Sequence, residues 1–79
     1  MEKNVKMPKL SEDMKKGILA AWMKEPGDTI KKGDILFEVE TEKVVSEVES
    51  LEDGVLEKAF FEEGDEVPVD EIVAVIRAE

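Results

Sequence analysis

Residues 17–40, GILAAWMKEPGDTIKKGDILFEVE, lie over residues 54–77, GVLEKAFFEEGDEVPVDEIVAVIR, without a gap when the chain is shifted by 37 positions. Six of the 24 pairs are identical: Gly17/Gly54, Leu19/Leu56, Glu25/Glu62, Gly27/Gly64, Asp28/Asp65 and Ile35/Ile72. Ile18/Val55, Ile30/Val67, Leu36/Val73 and Val39/Ile76 keep their apolar character. Matching glycines imply matching backbone demands, and matching apolar positions imply matching buried faces. Two copies are too few for a solenoid. They suit one domain of two similar halves related by a pseudo-twofold axis.

Each copy reads as β structure. Glu25-Pro26-Gly27-Asp28 is a type II turn signal, with proline presetting φ at the first central position and glycine taking positive φ at the second. Glu62-Glu63-Gly64-Asp65 repeats it without the proline. Ile35, Phe37 and Val39 alternate with Leu36, Glu38 and Glu40, which predicts a strand with the first set inward and the second outward. Val44, Ser46 and Val48 alternate in the same way with Val45, Glu47 and Glu49. EIVAVI (71–76) is a β-branched run suited to a more buried strand. Ser11 followed by acids resembles a helix start. Gly17 and the repeat argue instead for strands over 17–24 and 54–61. Trp22 is expected in or at the core, and Pro68 at a strand edge or turn.

Composition narrows the function. The chain has 79 residues, 42% of them hydrophobic and 41% charged, enough apolar content for a small folded domain. It has no cysteine and no histidine. That excludes a disulfide scaffold, a thiol nucleophile and the commonest general base, so a self-contained enzyme is not expected. No long apolar run suggests a membrane span, and the expected location is cytoplasmic. Residues 1–40 carry eight acids and eight bases, and residues 41–79 hold the whole net charge of −10. Nucleic acid is therefore not an expected partner, whereas a basic protein surface is.

Between the two copies stands EVETEKVVSEV (38–48). Two strand-like runs meet at Thr41-Glu42-Lys43-Val44, without the glycine, asparagine or proline that hairpin turns favour. Val39 and Val44 are expected to anchor the turn, leaving Glu42 and Lys43 exposed at its tip.

With these motifs the sequence resembles, over essentially its whole length, the lipoyl domain of the dihydrolipoamide acyltransferase component of 2-oxo acid dehydrogenase complexes. MPKLSEDMKKGILAAWMKEPGD (7–28) resembles that family's opening segment, and KKGDILFEVETEKVVSEVES (31–50) its modification hairpin. The family's tip usually reads Glu-Thr-Asp-Lys-Ala or Glu-Thr-Asp-Lys-Val; here it is Glu40-Thr41-Glu42-Lys43-Val44, with Glu42 in place of the aspartate. The resemblance implies a flattened barrel of two antiparallel sheets, with the lysine hairpin in one sheet and both termini in the other. It implies lipoate joined to Lys43 as an amide, on a non-catalytic carrier domain cut from the N-terminus of a longer acyltransferase chain. The implied partners are a thiamine-diphosphate-dependent decarboxylase, the acyltransferase core, dihydrolipoamide dehydrogenase and a lipoate ligase or lipoyl transferase. The isolated domain is expected to be a monomer.

Glu40, Thr41, Glu42, Val44 and Gly17 are the expected recognition residues around the tip. Glu47, Glu49 and the segment from Leu10 to Lys16 are expected to share in contacting the decarboxylase. The opening MPKLSEDM looks nearer the pyruvate, acetoin or branched-chain type than the 2-oxoglutarate type. Two other readings share the architecture. A biotin carrier usually sets its lysine between methionines, but the methionines here are at 1, 7, 14 and 23. An unmodified interaction barrel would need no particular residue at the tip.

Overall fold

The computed structural model describes residues 1–78 and contains eight strands and no helix over that span. They are β1 (Glu2–Lys6), β2 (Lys16–Trp22), β3 (Thr29–Ile30), β4 (Ile35–Glu40), β5 (Val45–Glu49), β6 (Gly54–Ala59), β7 (Glu66–Pro68) and β8 (Ile72–Ala78). They form two four-stranded sheets, ordered β1-β8-β6-β3 and β5-β4-β2-β7, and every pairing is antiparallel. The β4–β5 hairpin lies in one sheet, and the first and last strands lie in the other. This is the flattened all-β barrel that the resemblance implied, built on the two-halved β pattern read from the repeat.

The repeat holds down to single hydrogen bonds. Gly27 N donates to Leu56 O (2.8 Å) and Leu56 N to Asp28 O (3.0 Å); at the equivalent positions Gly64 N donates to Leu19 O (2.8 Å) and Leu19 N to Asp65 O (2.9 Å). Both expected turns form. Gly27 and Gly64 have φ of 99° and 95°. In each turn the aspartate amide donates to the glutamate carbonyl (3.0 and 3.1 Å), and the aspartate carboxylate accepts from the glutamate amide (2.8 Å in both). Of a second pair of turns, the sequence marked only Pro68, as a strand-edge or turn residue. Lys31-Lys32-Gly33-Asp34 places Gly33 at φ 94°, and its counterpart Pro68-Val69-Asp70-Glu71 places Asp70 at φ 73°.

The alternation read for residues 35–40 needs one correction. Leu36, expected outward, is fully buried beside Phe37 and Val39. Its strand bulges there: Ile35 pairs with Glu49 and Phe37 with Val48, so Leu36 is the extra residue. A bulge breaks the period of two and turns consecutive side chains inward. The same bulge recurs 37 positions on, where Val73 is extra between Ile72 and Ala74. A second bulge, at Ala20 in β2, recurs at Glu57 in β6.

The core between the sheets is Met7, Met14, Leu19, Ile30, Leu36, Phe37, Val39, Leu56, Val67, Val73, Ala74 and Ile76. Trp22 packs at its margin, its ring 5.2 Å from that of Phe37, and its Nε1 donates to Phe61 O (3.0 Å). Each large side chain here contributes about 1.5–3 kcal/mol by leaving water.

Candidate functional site

The tip of the β4–β5 hairpin is built by a side chain rather than by glycine. Glu40 and Val45 are the last paired residues. Beyond them Thr41 N donates to Val44 O (2.8 Å). The Thr41 hydroxyl accepts from Lys43 N (3.3 Å) and Val44 N (3.2 Å) and lies 3.3 Å from Val44 O, to which it donates. Threonine and serine hydroxyls close turns in this way because they imitate a backbone acceptor. Glu42 and Lys43 both keep negative φ, since Asp70 is the one described non-glycine residue with positive φ.

Lys43 stands clear of the fold, its side chain 76% exposed. Its Nζ lies 3.8 Å from Asp13 Oδ2, and Ser11 Oγ donates to Asp13 Oδ1 (2.9 Å). With both partners so exposed, such an ion pair adds at most ~1 kcal/mol. Asp13 and Ser11 belong to the segment between β1 and β2, which therefore flanks the tip. A groove of about 480 Å³ runs between them, with Met14, Gly17 and Ile18 among the residues in its wall.

Gly17 lies under the tip for a packing reason. A Cβ there would stand 2.7 Å from Val39 Cγ1 and 2.9 Å from Met14 Cε. Met14 in turn accepts a hydrogen bond at Sδ from Leu10 N (3.2 Å), which ties the flanking segment down. Val39 is a buried anchor, but Val44 is not: it is 49% exposed, and Val45 is 61% exposed. With the turn held by Thr41, Val44 has no packing duty. Glu40 and Glu42 are exposed beside Lys43. Glu47 lies opposite Glu38, and Glu49 opposite Ile35 at the foot of the hairpin. At about 3.4 Å per residue, Glu49 is roughly 20 Å from Lys43. The acidic zone at the tip is thus Glu40, Glu42 and Asp13, without Glu49. Sequence reasoning missed Asp13 as a neighbour of Lys43 and missed the structural task of Thr41. A threonine opening a turn that lacks glycine was the available signal for the latter.

Among the described residues, no group of three or more acids is placed to hold a metal ion, and no helix is long and apolar enough to cross a membrane. The protruding amine is the one reactive group the tip offers. It suits an acyl attachment, since Nζ can become an amide without disturbing any buried contact.

Comparison with known proteins agrees with this geometry. The Biotin_lipoyl family model, described as "Biotin-requiring enzyme", matches residues 3–76. The dihydrolipoyllysine-residue succinyltransferase component of the 2-oxoglutarate dehydrogenase complex of Bacillus subtilis (strain 168) is 42% identical over 72 residues, 91% of this chain and 17% of that protein. The dihydrolipoyllysine-residue acetyltransferase component of the pyruvate dehydrogenase complex of Zymomonas mobilis is 43% identical over 77 residues, 96% of this chain and 18% of that protein. The solution structure of the lipoyl domain of the 2-oxoglutarate dehydrogenase complex from Azotobacter vinelandii superposes with a TM-score of 0.78 at 34% identity, covering 94% of each chain. The chain spans about a sixth of the length of the curated relatives it matches. Relatives from 2-oxoglutarate and pyruvate complexes match about equally well, so overall similarity does not separate those classes.

Proposed function

Because the chain belongs to the Biotin_lipoyl family and shares the fold of a lipoyl domain, we propose that it is a carrier domain whose attachment residue is Lys43. The observation that carries this reading is one exposed lysine at the tip of a hairpin, held by Thr41 and flanked by Glu40 and Glu42. Lipoate joined there supplies a dithiolane that can be reduced, acylated and reoxidised. The chain's own contribution is to hold Nζ clear of the barrel and to present a surface that partners recognise. Amide formation at Nζ removes the positive charge, leaving Glu40, Glu42 and Asp13 to dominate the potential around the tip.

In this reading the domain belongs to an acyltransferase of a bacterial 2-oxo acid dehydrogenase complex, in the cytoplasm. Its partners are a thiamine-diphosphate-dependent decarboxylase that acylates the arm, the acyltransferase core that unloads it and the dihydrolipoamide dehydrogenase that reoxidises it. A lipoate ligase or lipoyl transferase installs the group. Tethering raises the arm's concentration at each active site. A biotin carrier is disfavoured by the tip itself: Lys43 lies between Glu42 and Val44, whereas Met7 and Met14 are buried in the core.

The test is intact mass after parallel incubations, one with lipoate, ATP and lipoate ligase, the other with biotin, ATP and biotin ligase. The loaded product is then offered to 2-oxo acid decarboxylases with their substrates. A lipoyl increment followed by an acyl increment is expected. A biotinyl increment alone would move the domain to the carboxylases.

A further inference from the structure

The barrel holds ten lysines, and eight of them, Lys43 included, are exposed. Exposure alone therefore does not select the attachment residue. Lys32 is a useful contrast, because it too is an exposed central residue of a tight turn. Its turn uses Gly33 at positive φ, its carboxylate brace is Asp34, and Lys32 N is tied to Asp53 Oδ1 (2.7 Å). The turn at Lys43 has none of these. It has the backbone bond from Thr41 N to Val44 O and one hydroxyl, which gathers Lys43 N, Val44 N and Val44 O.

We propose that the Thr41 hydroxyl is the positioning group that makes Lys43 the attachment lysine, by fixing a turn in which the second central residue points its side chain off the end of the hairpin. This inference rests on the carrier reading above. In attachment, Nζ attacks the carbonyl carbon of an acyl adenylate made from lipoate and ATP. The N–C bond forms, the C–O bond to adenylate breaks and AMP leaves. The ammonium gives up two protons, one before attack and one as the amide forms. Thr41 takes no part in these bonds. It holds the backbone at Lys43 and Val44 so that the side chain starts from one direction, and positional errors of about 1 Å can slow such a reaction a hundredfold.

The experiment compares wild type, Thr41→Val and Thr41→Ser in the 79-residue chain. Valine keeps the shape and removes the hydroxyl; serine keeps the hydroxyl. The readouts are the initial rate of lipoyl transfer, the modified lysine mapped by proteolysis, and amide proton shifts and exchange at Lys43 and Val44. For Thr41→Val, the expected result is a rate lower by roughly tenfold to a hundredfold. Altered Lys43 and Val44 amides should accompany it, with unchanged amides at Leu19 and Ile76. Thr41→Ser should restore both. A wild-type rate in Thr41→Val despite altered tip amides would overturn the inference. So would a lowered rate with unaltered amides, which would mean that the ligase reads the hydroxyl directly. A folded wild type that accepts no lipoate would remove the carrier reading and this inference with it, an outcome visible before any variant is compared.

Discussion

At the scale of single residues, the glycines show how little freedom the barrel leaves. Gly17 is required by side chains, whereas Gly54 is required by backbone: a Cβ at Gly54 would fall 2.1 Å from Arg77 O. Val39 and Met14 can shift a little, but a paired strand carbonyl cannot. Gly17→Ala should therefore destabilise the domain by about 1–3 kcal/mol, with Gly54→Ala at or beyond the upper end. Urea denaturation midpoints would check the order. Much at this scale was legible in the chain itself. The repeat and the hairpin placed Lys43 at an exposed tip, and the resemblance of Glu40-Thr41-Glu42-Lys43-Val44 to the tip of lipoyl domains singled it out. What was not legible was the reach of Asp13, since it depends on how the segment after β1 folds back over Gly17. Pairing Gly17 with Gly54 marked both as necessary without revealing that their reasons differ.

Among the elements, the repeat was readable and its bulges were not. A period of two is a statement about regular strands, and an extra residue such as Leu36 carries no signal of its own. Its burial provides a direct test. An outward Leu36 would tolerate alanine, whereas the observed core position predicts that Leu36→Ala lowers stability by about 2–5 kcal/mol. Thermal and urea unfolding of this variant would decide between them. The bulge at Glu57 carries a second prediction. Its carboxyl is held below the ordinary carboxylate value of 4.5, by contact with the Glu2 carboxyl first and the Arg77 guanidinium second. Arg77 Nη2 donates to Glu57 Oε1 at 3.0 Å, while Oε2 has no hydrogen-bond donor. The hydrogen bond from Arg77 is the one the structure draws to this carboxylate. Because the folded pKa lies below the unfolded one, the unfolded chain binds the proton more readily. The stabilisation is complete above the unfolded value and fades as pH falls through the folded one. Melting temperatures of wild type and Glu57→Gln should diverge at neutral pH and converge in acid. A constant gap across that range would contradict this account of Glu57.

For the molecule as a whole, two related halves have been given different work. One sheet carries the β4–β5 hairpin with Lys43 at its tip, and its counterpart carries the chain's first and last strands. The tip sits among Glu40, Glu42 and Asp13 in a domain of net charge −10. A basic surface on the decarboxylase would be steered toward it, and added salt should slow acylation as screening sets in at about 8 Å. The hairpin register sharpens this expectation. On fully lipoylated protein, Glu42→Lys should slow reductive acylation and reduce its salt dependence. Glu49→Lys, roughly 20 Å away at the foot of the hairpin, should leave both near the wild-type values. Equal effects at the two positions would point to net charge rather than to the tip. Beneath all of these lies the identity of the attachment residue. It is tested most directly by peptide mapping of the ligase product, with Lys43→Arg as the control. The account predicts a lipoyl increment on the peptide containing Lys43 and on no other, and an unmodified, equally stable Lys43→Arg protein. An increment on Lys32 or another lysine, or one that survives in Lys43→Arg, would contradict it.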